Sequence, residues 1–314
     1  MKKIARVVAV LLCVCMLFTS CAPVGTSGEK TADSEYSQEV QNLEKLCKVW
    51  GYTKYNHPAF LLGQKDWDEE LLNLIPVVSD AKEDEVNDIL HEWFVSLGEI
   101  DYGTSRPGSK PIESEAVVQA DTNWILDEAY LGEALSADMQ KMGPVPKIDR
   151  SKAPVKFSTG QGVPNFKMEN TDAGCSYQTE EERLLGLFRV WNAIEYYFPY
   201  LDIMDESWYD LLNEFIPKIL EASDVQSFEL TICEMTAHLH DVHVRFINSQ
   251  PLKAVVGEYL APVNMLRTEE GQWVVSDLCG DCPLQAGDVI LKLDGTDIKE
   301  IEENRKKYVS VPND

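Results

Sequence analysis

The chain has 314 residues, with 28 basic and 53 acidic side chains and a formal net charge of −25. That acidity argues against a nucleic-acid binder, because phosphates would be repelled, and against a polybasic membrane surface. An apolar fraction of 44% with 18 Gly and 15 Pro excludes a disordered or collagen-like chain, and the length allows about two cores.

Met1 to Cys21 reads as an address. Lys2, Lys3 and Arg6 form a charged start, and Val7 to Phe18 is an apolar run too short to span a bilayer comfortably. Leu17-Phe18-Thr19-Ser20 before Cys21 resembles a bacterial lipobox. The expectation is a signal peptide over 1–20 and a lipid on Cys21, which places the protein outside the cytoplasm in a bacterial envelope. Plain secretion with Cys21 unmodified is the alternative. Residues 21–37 are rich in Ser, Thr and Gly and read as a flexible tether.

Two segments then match at a constant offset, the one that separates Trp50 from Trp191. Besides those two, Tyr55 pairs with Tyr196, Pro58 with Pro199, Trp67 with Trp208, Leu71 with Leu212, and Ile75-Pro76 with Ile216-Pro217. Two copies are too few for a solenoid, so a duplicated helical unit is expected, over 38–102 and 179–246. Each copy predicts three helices. The first carries apolar residues at helical spacing and ends at Pro58 or Pro199. The second opens on acidic residues, Asp66 and Asp68 or Asp205 and Glu206. The third runs from about Asp84 to Leu97, or Val225 to His240. The aromatic residues at these spacings read as core.

Between the copies, 103–178 reads as a loop-rich insertion. It has a helical stretch from Trp124 to Lys141 and short strand-like pieces at Val155–Phe157 and Asn165–Met168. From about Val244 the pattern turns to strands. A hairpin is expected around Glu269-Glu270-Gly271, a strand over Val289–Leu293, a tight turn at Asp294-Gly295, and a helix from Glu300 to about Tyr308. The fold class expected is α+β: a duplicated, mainly helical N-terminal region followed by a PDZ-like β domain over 247–314.

Five of the eight cysteines lie after Cys21. Cys47 and Cys233 fall in helical patterns and read as core. Cys279-Gly-Asp-Cys282 is compatible with a loop disulfide or with inert thiols. His238, His240 and His243 cluster with Asp241. The order of that Asp does not fit a metallo-hydrolase motif, and a helix C-terminus with capping imidazoles is the simpler reading, so no metal ligand and no cofactor is assigned. Ser79-Asp80-Ala81-Lys82 has SxxK spacing without the companion motifs that a penicillin-binding enzyme needs.

Leu284 to Gly295, LQAGDVILKLDG, resembles the bacterial PDZ signature. Such a domain takes an extended peptide as an added strand and captures its carboxylate on loop N–H groups. Gly257, Glu258, Tyr259 and Leu260, ahead of the first long strand, are the candidate peptide-binding loop. Together with the tryptophan–tyrosine–proline helices and Leu239-His240-Asp241-Val242-His243, the chain resembles the carboxyl-terminal-processing, tail-specific and tricorn-related serine peptidases over about Gln38 to Asp314. The resemblance implies a Ser nucleophile and a Lys base in a domain after the PDZ region, so no residue here is assigned a catalytic role. The expected partners are protein C-termini, with the membrane reached only through the lipid. A non-catalytic surface lipoprotein that binds C-termini is the main alternative, and a zinc hydrolase using the histidine cluster is a weaker one.

Overall fold

The computed structural model describes residues 36–103, 120–158, 162–169 and 176–311. The expected signal peptide, the expected tether up to Glu35, Cys21 and Cys175 lie outside the described residues. No helix among the described residues is long and apolar enough to cross a membrane.

Helix α1 (Gln38–Asn56) starts at Ser37, whose hydroxyl accepts from Val40 N. It stops at His57, because the residue before a proline is held in extended backbone. Pro58 does more than end α1. It occupies the first turn of a short helix, α2 (Pro58–Leu61), where its missing N–H costs nothing. Asp66 caps α3 (Trp67–Ser79), and α4 (Val86–Ser96) follows.

The insertion differs from its expected single helix. Asn123–Leu126 is a 3-10 turn, followed by α5 (Glu128–Leu131) and α6 (Glu133–Met139). Gly132, at φ 76°, breaks the run between them. Strands β1 (Lys156–Phe157) and β2 (Pro164–Asn165) pair antiparallel; β1 falls on the first strand-like piece, while β2 shares only Asn165 with the second.

The second helical set repeats the scheme. Thr179 caps α7 (Glu180–Tyr197), Ser207 caps α8 (Trp208–Glu221), and an Asp224/Ser227 capping box opens α9 (Val225–Ala237). Trp50 Nε1 donates to Trp67 O at 2.8 Å, and Trp191 Nε1 donates to Trp208 O at 3.0 Å. Helices α1, α3, α7 and α8 pack on one another around a core that holds Trp50, Phe60, Leu71, Phe188, Trp191 and Phe215 at full burial.

The C-terminal part holds a helix ahead of its strands in addition to the expected one near its end. Helix α10 (Gln250–Val256) comes first, where strand had been expected, because Ser249 and Pro251 build a helix start. Then β3 (Val263–Arg267), β4 (Trp273–Leu278) and β5 (Val289–Ile290) form an antiparallel sheet in the order β3-β4-β5. The strand expected over Val289–Leu293 is split at Leu291. Its second half, β6 (Lys292–Leu293), pairs with β7 (Thr296–Asp297) instead. Asp294 and Gly295 turn with φ of 51° and 86°, the paired positive values that a two-residue type I′ hairpin needs. Asp297 caps α11 (Ile298–Lys306). Val275 is the one fully buried hydrophobic side chain described after residue 257, so this part carries far less core than the helices.

Candidate functional site

The loop from Gly257 to Leu260 lies between α10 and β3. Gly257 sits at φ 99°, and Tyr259 and Leu260 are 89% and 97% exposed. Strand β3 is an edge of its sheet, pairing with β4 on one side only. Its backbone groups on the other side are therefore open to an added strand. Helix α11 is tied to the same sheet: Glu302 pairs with Arg267, whose Nε lies 3.0 Å from Oε1, and its Oε2 accepts from Trp273 Nε1 at 3.0 Å. Arg305 Nη1 also donates to Val256 O at 3.2 Å, at the end of α10. The loop, the edge strand and the helix thus form one assembly.

The cysteine pair borders that loop. Cys279 N donates to Pro262 O at 2.8 Å, which holds the Cys279–Cys282 turn beside the start of β3. Both sulfurs are free thiols, with Cys279 exposed. Cys47 and Cys233 are buried, as expected for core thiols, and burial pushes both well up from the ordinary range.

The histidine cluster does not converge. His238, the C-cap of α9, bonds Glu206 Oε2 at 2.5 Å. His240 meets Val311 O at 3.1 Å, and His243 meets Asp241 Oδ1 at 2.7 Å. Among the described residues no group of His, Cys, Asp and Glu is arranged to hold a metal. Ser79 and Lys82 are also engaged separately. Ser79 Oγ donates to Glu39 Oε1 at 2.7 Å and Lys82 Nζ to Glu85 Oε1 at 2.9 Å, so they form no dyad.

A second concavity was not anticipated. A cleft of about 1060 Å³ opens beside the C-terminal end of α7, walled by Tyr52, Tyr196, Trp208 and Tyr209. Glu195 forms part of its wall and is only 4% exposed. Its Oε1 accepts from Tyr209 O–H at 2.7 Å, while its buried Oε2 has no partner among the described residues. Burial pushes the carboxyl up to about 7, against the opposing effects of the Tyr209 hydrogen bond and the Lys48 charge. The sequence signal was present: Glu195 interrupts an aromatic helical face, Trp191 to Phe198, at a position that should be apolar.

At the offset that separates Trp50 from Trp191, the position matching Glu195 is Lys54, whose side chain is fully buried. Its Nζ lies 2.8 Å from Glu169 Oε1, an ion pair whose angle falls outside hydrogen-bond geometry. Tyr55 O–H donates to the same oxygen at 3.2 Å, and Lys54 Nζ lies 4.5 Å from the centre of the Trp50 ring. Burial lowers the Lys54 pKa and the Glu169 charge opposes that.

Comparison with known proteins gave no match to a family model, to a curated protein or to a solved structure.

Proposed function

We propose that this chain is the N-terminal scaffold and substrate-presenting portion of an envelope-anchored Ser/Lys-type peptidase that cleaves proteins near their C-termini. The observation that carries the reading is the exposed loop Gly257–Leu260 leading directly into edge strand β3. A C-terminal peptide would add as a strand on β3 and set its carboxylate against the N–H groups of that loop. The Gly-Asp turn before β5 and the Asp294-Gly295 hairpin stand where the PDZ signature requires turns.

The helical region is read as a duplication. Its support is the pairing of equivalent positions: Trp50 with Trp67 and Trp191 with Trp208, each pair closed by an indole-to-carbonyl bond. Pro76 and Pro217 also sit inside the equivalent helices α3 and α8. In this reading the helical pairs serve as the scaffold, the tether over 21–37 holds the folded part off the membrane, and the lipid on Cys21 supplies the anchor.

The test is fluorescence polarisation with labelled peptides that differ only in a free or amidated C-terminus. The free form should bind at least tenfold more tightly, since one charge-assisted contact is lost on amidation. Leu260→Glu, at an exposed position, should abolish that preference without altering the circular dichroism. Equal binding of the two peptides would remove the basis of the reading. For the anchor, fatty-acid labelling should mark the wild type and leave Cys21→Ala unmarked.

A further inference from the structure

Two of the buried ionisable groups of the helical region, Lys54 and Glu195, occupy matching positions with opposite charge, and of these two only Lys54 is paired with a counter-charge among the described residues. Lys54 is neutralised by Glu169, which reaches it from the insertion. Glu195 has a tyrosine hydroxyl on one oxygen and no donor among the described residues on the other. A buried carboxylate oxygen is costly without a donor, so this one in the cleft wall is an acceptor that a ligand N–H group would satisfy.

The surroundings select the missing group. Among its described residues the cleft is lined by the carboxylates Glu195, Asp121 and Asp202 and by no lysine or arginine. Its aromatic faces attract cations. The same fold already seats ammonium groups this way. Lys48 Nζ lies 5.0 Å from the Tyr209 ring centre and 5.5 Å from that of Trp124, and it pairs with Glu44 at 2.9 Å. Lys54 repeats the arrangement over Trp50. A volume of about 1060 Å³ lies at the upper end of the range that holds drug-sized ligands, so it admits a side chain together with flanking backbone.

We propose that the cleft beside Glu195 binds a lysine or arginine side chain of a polypeptide, with the cation held between the Glu195 carboxylate and the tyrosine faces. The site is separate from the β3 edge and involves none of its residues, so either assignment can fail while the other stands. Glu195 must ionise to accept the cation. The groups that bear on it are the Tyr209 hydroxyl, the Lys48 ammonium and the Asp121 carboxylate. Since its carboxyl sits near neutrality, binding should tighten as pH rises.

Calorimetric titration of the purified chain tests this with three blocked peptides, Gly-Lys-Gly, Gly-Arg-Gly and Gly-norleucine-Gly, and with pentylamine as a free cation. The lysine and arginine peptides should bind, and the uncharged norleucine peptide should bind at least tenfold more weakly. Affinity for the lysine peptide should rise roughly tenfold between pH 6 and pH 8, following the ionised fraction of Glu195. Glu195→Gln keeps an acceptor for Tyr209 and should lose about tenfold in affinity together with the pH dependence. Asp202→Asn, at an exposed position on the rim, should lose about threefold with no change in melting temperature. Equal binding of the norleucine peptide, or affinity in Glu195→Gln that matches the wild type, overturns the proposal. Pentylamine binding as tightly as the peptides overturns its polypeptide part.

Discussion

Gly51 and Asn192 face each other where α1 meets α7, and a methyl group built on Gly51 would fall 1.7 Å from Asn192 Oδ1. The two positions are offset by the same interval that relates Trp50 to Trp191. Tyr55 and Tyr196, one helical turn further on and at the same offset, also touch, with ring centres 5.5 Å apart. Contact between matching positions is what a local two-fold relation between α1 and α7 produces. Asn192 uses the space that glycine leaves: its Nδ2 donates to Phe188 O at 2.9 Å and across to Cys47 O at 3.1 Å.

Gly51→Ala should therefore destabilise the chain by about 2–3 kcal/mol through overpacking, read as a lower urea midpoint. Adding Asn192→Ala should recover part of that loss by clearing the side chain in the way. A single mutant as stable as the wild type would mean that the helices separate freely at this contact.

Trp50 and Trp191 should be comparably sensitive. Replacing either with Phe keeps an aromatic ring but removes the buried donor to Trp67 O or Trp208 O, at about 1–3 kcal/mol. The measurement is the urea midpoint of each single mutant. Neutral effects at both sites would show that these bonds contribute nothing net.

Lys54 and Glu169 should behave asymmetrically. Glu169→Gln strips the counter-charge from a fully buried ammonium and should cost about 3–5 kcal/mol. Lys54→Met removes the charge itself and fills similar volume, so it should cost less. Combining the two changes should be milder than the sum of the single effects, which a double-mutant cycle measures directly.

Two buried groups set opposing pH dependences. The Glu195 carboxyl is raised to about 7, so its contribution to stability is full below about 4.5 and is lost as pH rises through about 7. The His57 imidazole is buried against Phe60 and Phe94, and burial lowers it to about 4. Its contribution is full above about 6.5 and is lost as pH falls through about 4. The two slopes partly cancel between pH 4.5 and 6.5. Glu195→Gln should raise the melting temperature at pH 8, by a stability gain on the order of 3 kcal/mol, and expose the His57 limb on acidification. His57→Asn keeps a side-chain acceptor for Ala59 N and should flatten that limb. Melting curves from pH 4 to pH 8 give both signs, and an unchanged profile in Glu195→Gln would contradict the first.

The helices were legible because their signals are local. Apolar spacing, the acidic residues before α3 and α8, and the prolines after α1 and α7 all act within a few residues, so α4 and α9 appear within three residues of where the sequence put them. The β region was less legible. The apolar run Val289–Leu293 looks like one strand, but the sheet takes its first two residues and a separate hairpin takes its last two. Which neighbour a short strand pairs with is not written in its own periodicity.

By itself the sequence determined an acidic chain, a helical unit read twice at a constant spacing, and the turn residues of a small β region. Only the tertiary structure decided that Gly51 meets Asn192, that Glu169 comes from the insertion to neutralise Lys54, and that Glu195 is left in a cleft wall with an unpaired oxygen. The reason is range. Helix formation responds to neighbours a few positions apart, whereas the charge state and partners of a buried group depend on segments far away along the chain, which only packing brings together.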